Sequence, residues 1–101
     1  MLNIKLITPI GLSWDVQANR ITLPGKDSIF QILPYHINII STLISGKIIL
    51  HDTLNIKEIN VDKETINSTN IHNIVVFFVH QGIVEYSGTF VNILGDIEYH
   101  K

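Results

Sequence analysis

Five histidines have the most obvious chemical potential in this chain: His36, His51, His72, His80 and His100. A zinc site needs three or four ligands converging tetrahedrally. None of the five stands two or four residues from another, and no Asp or Glu partner repeats beside them. Isolated surface or core histidines are the better reading. Six serines, at 13, 28, 41, 45, 68 and 87, could supply a nucleophile, yet none lies in a G-x-S-x-G elbow. The carboxylates cluster over residues 52–64, a polar stretch where burial is least able to tune a pKa. Pro24-Gly25-Lys26 is a turn with one cation, not a glycine loop that cradles phosphate. The chain has no cysteine, which removes disulfides and thiolate ligands and fits a reducing compartment. These residues predict no enzymatic activity, no cofactor and no metal.

The balance of residue types narrows the partners. Net charge is −2, and Arg20 is the one arginine. No basic stripe is available to neutralise phosphates, so nucleic acid is excluded as a partner. Hydrophobic residues make up 46% of the chain, enough for a core, while charged residues make up 16%. Soluble domains average about 25% charged. So few charges point to a surface partly covered by other proteins. The start MLNIKLITPIG alternates and lacks a basic region, so no signal peptide is expected. No apolar run approaches the roughly 18 residues of a membrane span, and direct membrane insertion is not expected.

Strand signals must therefore position whatever the protein presents. Leu2, Ile4 and Leu6 alternate with polar neighbours until Thr8-Pro9. Further strands are predicted over 11–17 around Trp14, 19–23, 29–33, 36–44, 47–51, 71–79, 83–86 and 90–94. Pro24-Gly25, Ser45-Gly46, Gly82, Ser87-Gly88 and Gly95-Asp96 separate or end them. Residues 36–44 also fit a helical spacing, but β-branched enrichment favours strand. Trp14 and the pair Phe77-Phe78 read as core fillers. Phe30 follows the turn at Lys26-Asp27, which can place it at a surface. Residues 52–70 lack Gly and Pro and read as an enlarged polar hairpin with a mobile tip. Asn67-Ser68-Thr69 matches the N-glycosylation pattern, read as chance without a secretion signal. The expected fold is one all-β domain over 1–101, an antiparallel flattened β-sandwich of about ten short strands.

Three blocks carry a resemblance. LPGKDSIFQILPYHINIISTLISGKIIL holds Leu23-Pro24-Gly25, Phe30, Leu33-Pro34, His36 and Gly46. It resembles the core pattern of the epsilon subunit of F-type ATP synthase, called delta in mitochondria. LNIKLITPIGLSWD resembles that family's opening strand pair, with Trp14 as its aromatic. HQGIVEYSGTFVNILGD resembles its closing block, with Gly82, Val84, Glu85, Val91, Leu94 and Asp96 in register. The blocks occur in family order and cover nearly everything outside 52–70. Departures are clear: the family's glycine before His36 is Tyr35, the positions after it are Ile37 and Asn38, Gln81 replaces a glycine, and Ile29 stands where an acid is common.

The resemblance implies a rotor subunit of a proton-translocating ATP synthase that couples the c-ring to the gamma subunit. It implies a gamma interface at Thr8, His36 and Ser41, and a c-ring-facing loop at Lys26, Asp27, Ser28, Ile29, Phe30 and Gln31. It also implies a peripheral membrane protein on the cytoplasmic face of a bacterial inner membrane, or the matrix side in an organelle. FQIL and HINIIS become two strands joined at Pro34-Tyr35, with Tyr35 and His36 on a rim. His36 has two readings, a partner contact or a cap on the turn. The chain stops after the sandwich, so the family's C-terminal helical hairpin, and inhibition or ATP binding through it, are not expected. The alternative is a stand-alone β-sandwich module that binds carbohydrate or peptide.

Overall fold

Alternation of apolar and polar side chains has one stable outcome when it recurs through a whole chain: strands that bury one face each. A computed structural model describes residues 1–35, 37–59 and 72–100. They form eight strands: β1 (Leu2–Ile7), β2 (Ser13–Ala18), β3 (Arg20–Pro24), β4 (Ile29–Ile32), β5 (Ile39–Leu43), β6 (Gly46–Ile59), β7 (His72–Ser87) and β8 (Phe90–His100). No helix occurs among the described residues. The strands run in one sheet in the order β4-β3-β6-β2-β1-β8-β7-β5, and a further β6–β7 pairing folds the sheet back on itself. The result is a flattened two-layered body, 36 × 28 × 19 Å.

The core lies between the layers. Leu2, Ile4 and Leu6 of β1 meet Trp14, Val16 and Ala18 of β2, with Ile21, Leu23, Ile32, Leu43, Ile48 and Leu50 from the strands that follow. Trp14 stands edge-on to Phe77, ring centroids 5.1 Å apart. Phe77 is core as expected, but Phe78 is not: strand alternation turns it to the outer face, where its ring meets His80.

Three features depart from the sequence segmentation. The first concerns strand number, eight among the described residues rather than about ten. Gly82 does not end a strand, and Gly95-Asp96 does not end another. β7 pairs Val79 with Ile97 and Gly82 with Gly95, so His80 and Gln81 oppose Asp96 alone. This is a bulge, and its extra residue reverses the facing of β7. Val75, Phe77 and Val79 point inward before it, Val84 and Tyr86 after it.

The second departure is the parallel pair β1–β8; every other pairing is antiparallel. The two strands are remote in sequence, so no hairpin constrains their direction. The third is the length of β6, which continues through Ile59. Asp52 sits in it at φ 58°, and the buried side changes from Ile48 and Leu50 to Thr53. The tip of the predicted 52–70 hairpin lies outside the described residues.

Candidate functional site

One end of the sandwich collects three connections. The β3–β4 hairpin tip, Gly25–Ser28, follows the pairing of Pro24 with Ile29. The β5–β6 turn is tied to it: Ile44 donates its backbone N–H to the Pro24 carbonyl at 2.9 Å, and Gly25 bridges Leu43. Pro9 of the β1–β2 loop shares a groove with Lys26, Ile44 and Ser45. This end carries exposed aliphatic side chains, Ile10 at 81%, Ile29 at 73%, and Ile44.

The predicted loop Lys26–Gln31 is brought together here. Lys26, Asp27 and Ser28 are exposed. Phe30 is half-buried against the core, and its ring lies over Gly25, where an added Cβ would stand 2.7 Å from it. Phe30 therefore holds the hairpin as well as facing outward. Gln31 donates from its side-chain nitrogen to the Thr22 hydroxyl at 3.3 Å.

The residues implied for gamma fare differently. Thr8 is buried; its hydroxyl donates to the Leu12 carbonyl at 3.0 Å and accepts from the Leu12 N–H at 3.1 Å. It shapes the loop that presents Ile10 and makes no outward contact itself. Ser41 is half-exposed on β5 and lines a groove with Lys26, Ser28 and Phe30. The two implied surfaces thus adjoin at Ser41. His36 lies outside the described residues. Pro34-Tyr35 does separate β4 from β5, and Tyr35 is 94% exposed at φ 69°, in the left-handed region where its resembled family has glycine.

An outward sheet face went unread in the sequence. Register aligns Thr42, Ile83, Leu94, Ile7 and Ser13 across five strands. A neighbouring row runs Ile40, Glu85, Asn92, Lys5, Asp15. Ile40, Ile83 and Leu94 are exposed, an apolar patch with a charged border. The bulge decides this facing for Ile83. Only a register-level reading of the extra residue at 80–81 could have found it.

On the opposite face a polar chain, Gln31–Thr22–His51–Arg20, joins β4, β3 and β6. Arg20 donates to His51 Nδ1 at 3.5 Å, and His51 Nε2 lies 3.1 Å from the Thr22 hydroxyl. Nδ1 accepts, so the neutral ring carries its proton on Nε2 and donates it to Thr22. Burial lowers the His51 pKa from its ordinary 6.5; Arg20 lowers it further, and Asp52 pulls it up. His80 pairs with Glu98 at 3.3 Å in the open. Among the described residues, no group of three or more His, Asp or Glu could hold a metal ion. No described helix is long and apolar enough to cross a membrane.

No protein-family model matches the chain. The epsilon chain of ATP synthase from Rickettsia prowazekii is 25% identical over 97 residues, 95% of this chain and 72% of that one. The Rickettsia felis epsilon chain is 29% identical over 91 residues, 89% of this chain and 67% of that one. A chloroplastic epsilon chain from Dictyota dichotoma is 40% identical over 45 residues, 45% of this chain and 32% of its own. In fold, the chain matches one from the central stalk and c-ring structure of the Tetrahymena thermophila mitochondrial ATP synthase. That match has a TM-score of 0.59 at 17% identity and covers 95% of this chain and 64% of the other. The two Rickettsia matches run over nearly the whole chain, and the Dictyota match over less than half of it.

Proposed function

We propose that this chain is an epsilon-type subunit in the central stalk of a proton-translocating rotary ATP synthase, joining the gamma subunit to the c-ring without chemistry of its own. The observation that carries the reading is the agreement of sequence and fold: each kind of match spans 95% of the chain, and both lead to ATP synthase. The low charge fraction and exposed aliphatic groups support it, since an interface needs apolar area inside a thin polar rim.

Coupling two rotating bodies requires two surfaces on one stiff unit. The β6–β7 pairing joins the layers through backbone hydrogen bonds, so load at one surface reaches the other without a hinge. Gamma would meet the face bearing Ile40, Ile83 and Leu94, with Ser41 at its edge; His36 is the further gamma residue that the resemblance implies, while the loop shaped by Thr8 stands with Ile10 at the other surface. The c-ring would meet Lys26–Gln31, with Ile10 and Ile44 beside it. The subunit would then sit peripherally on the cytoplasmic side of a bacterial membrane, or the matrix side in an organelle.

Co-expression with the gamma subunit of the same organism tests this. The pair is expected to co-elute. Ile83→Asp with Leu94→Lys should weaken the complex by about 2–4 kcal/mol, the scale of a hot spot, with little change in melting temperature because both side chains are exposed and the new charges, directly opposite across β7 and β8, are of opposite sign. A wild-type chain that elutes apart from gamma sinks the proposal.

A further inference from the structure

The bulge that turns Ile83 to one face leaves the first half of β7 facing the other. Val75, Phe77 and Val79 point into the core, so Ile74, Val76 and Phe78 point out. Ile74 is 56% exposed, and Val76 and Phe78 are half-buried. Three outward apolar residues in succession are more than a solvent-facing strand needs. Ile49 on β6 lies beside Val76 and widens the stripe. None of these residues is used by the surfaces proposed for gamma or the c-ring.

Charge is arranged around this stripe in a particular order. Lys47 on β6 pairs with Phe78, and Phe78 pairs with Glu98 on β8. The row therefore reads cation, aromatic ring, carboxylate across three strands. Both charged ends are exposed; Glu98 touches His80 at 3.3 Å, yet its side chain remains 67% exposed. Neighbouring strands lie about 4.8 Å apart, so the two charged residues stand equally far from β7 on either side. Such a row is complementary to itself. A two-fold axis along β7 in the contact plane lays Phe78 on its counterpart and sets Lys47 of each copy over Glu98 of the other. The strands of the two sheets then run nearly aligned, the usual packing of sheet on sheet. We infer that this outer face of β6, β7 and β8 joins two copies of the chain in a symmetric dimer. The apolar stripe supplies the attraction, and the two charge pairs fix the register. A face only three strands wide is small for a stable interface, so the dissociation constant should be on the order of tens of micromolar.

Sedimentation equilibrium of the 101-residue chain tests it. The mass should rise from one copy to two across about 1–300 μM, a range that brackets that constant. Lys47→Glu and Glu98→Lys should each weaken association at least about ten-fold, because like charges then meet twice. Mixed together, those two variants should associate, since each glutamate of one faces a lysine of the other. A single chain carrying both Lys47→Glu and Glu98→Lys should dimerise as the wild type does. Unfolding cannot imitate either rescue. Lys5→Glu, on the opposite face, should leave association unchanged. A chain that stays monomeric overturns the inference and leaves the face to a different protein. So do single charge variants that dimerise normally, a mixture that fails to associate, or a loss caused by Lys5→Glu, which would move the contact to the other face. Gamma co-elution reads that other face, so either proposal can fail without the other.

Discussion

β7 and β6 both reverse their buried side partway along, and they do it by different means. β7 inserts a residue at His80-Gln81 and closes the gap by bringing Gly82 against Gly95. A Cβ on Gly82 would lie 2.6 Å from the Leu94 carbonyl oxygen, and one on Gly95 would collide with the Gln81 carbonyl. β6 turns at Asp52 instead, a single residue at φ 58°. The first device is steric and tolerates no side chain. The second is conformational and tolerates one that accepts a left-handed backbone, which Asp and Asn do better than most.

The comparison orders the expected effects. Gly95→Ala must separate two backbones and should cost about 3 kcal/mol or more, read by urea unfolding. A loss below about 1 kcal/mol would mean the strands do not cross this closely. Tyr35→Gly is the opposite experiment. Tyr35 shares the left-handed region with Asp52 but has no side-chain group that eases it. Relief of roughly 1–2 kcal/mol of strain, less the extra entropy of an unfolded glycine, leaves about 0.5–1 kcal/mol of stabilisation. A melting temperature unchanged or lowered in that variant contradicts the strain. Asp52→Gly should change stability by less than about 0.5 kcal/mol; a large gain would place Asp52 with Tyr35.

The smallest effect is pH dependence at His51, beside Asp52. Its folded pKa lies below the unfolded 6.5, so the unfolded chain takes up a proton first. Stability from this group is whole above 6.5 and declines as pH falls from there toward the folded pKa. His51→Gln keeps a donor for Thr22 and should flatten that part of the profile in thermal melts from neutral to mildly acidic buffer. An unchanged slope would assign the acid sensitivity elsewhere.

Much of the fold was legible because period-two alternation states which residues face inward: Leu2, Ile4 and Leu6 read this way, and Trp14 read as a core filler. The turn at Pro34-Tyr35 was legible from proline's missing donor. Gly82 and Gly95 were misread, since glycine marks a turn and a close backbone crossing equally well. Phe78 was misread because adjacent aromatics on a strand cannot both face the core. The site was less legible. The hairpin Lys26–Gln31 came from motif resemblance; Lys26, Asp27 and Ser28 form its exposed tip, while Phe30 turns inward against the core. Thr8 came the same way, yet its hydroxyl is used inside its own loop.

By itself the sequence determined the strand-forming pattern, the absence of cysteine chemistry and the supply of apolar side chains beyond what a core needs. Tertiary structure decided where the surplus goes. The bulge sets the facing of Ile83, the parallel β1–β8 pairing aligns Ile7 with Leu94, and the Ile44–Pro24 hydrogen bond gathers remote loops at one end. The physical reason is that facing along a strand is a local property, whereas register between strands depends on partners far away in the chain.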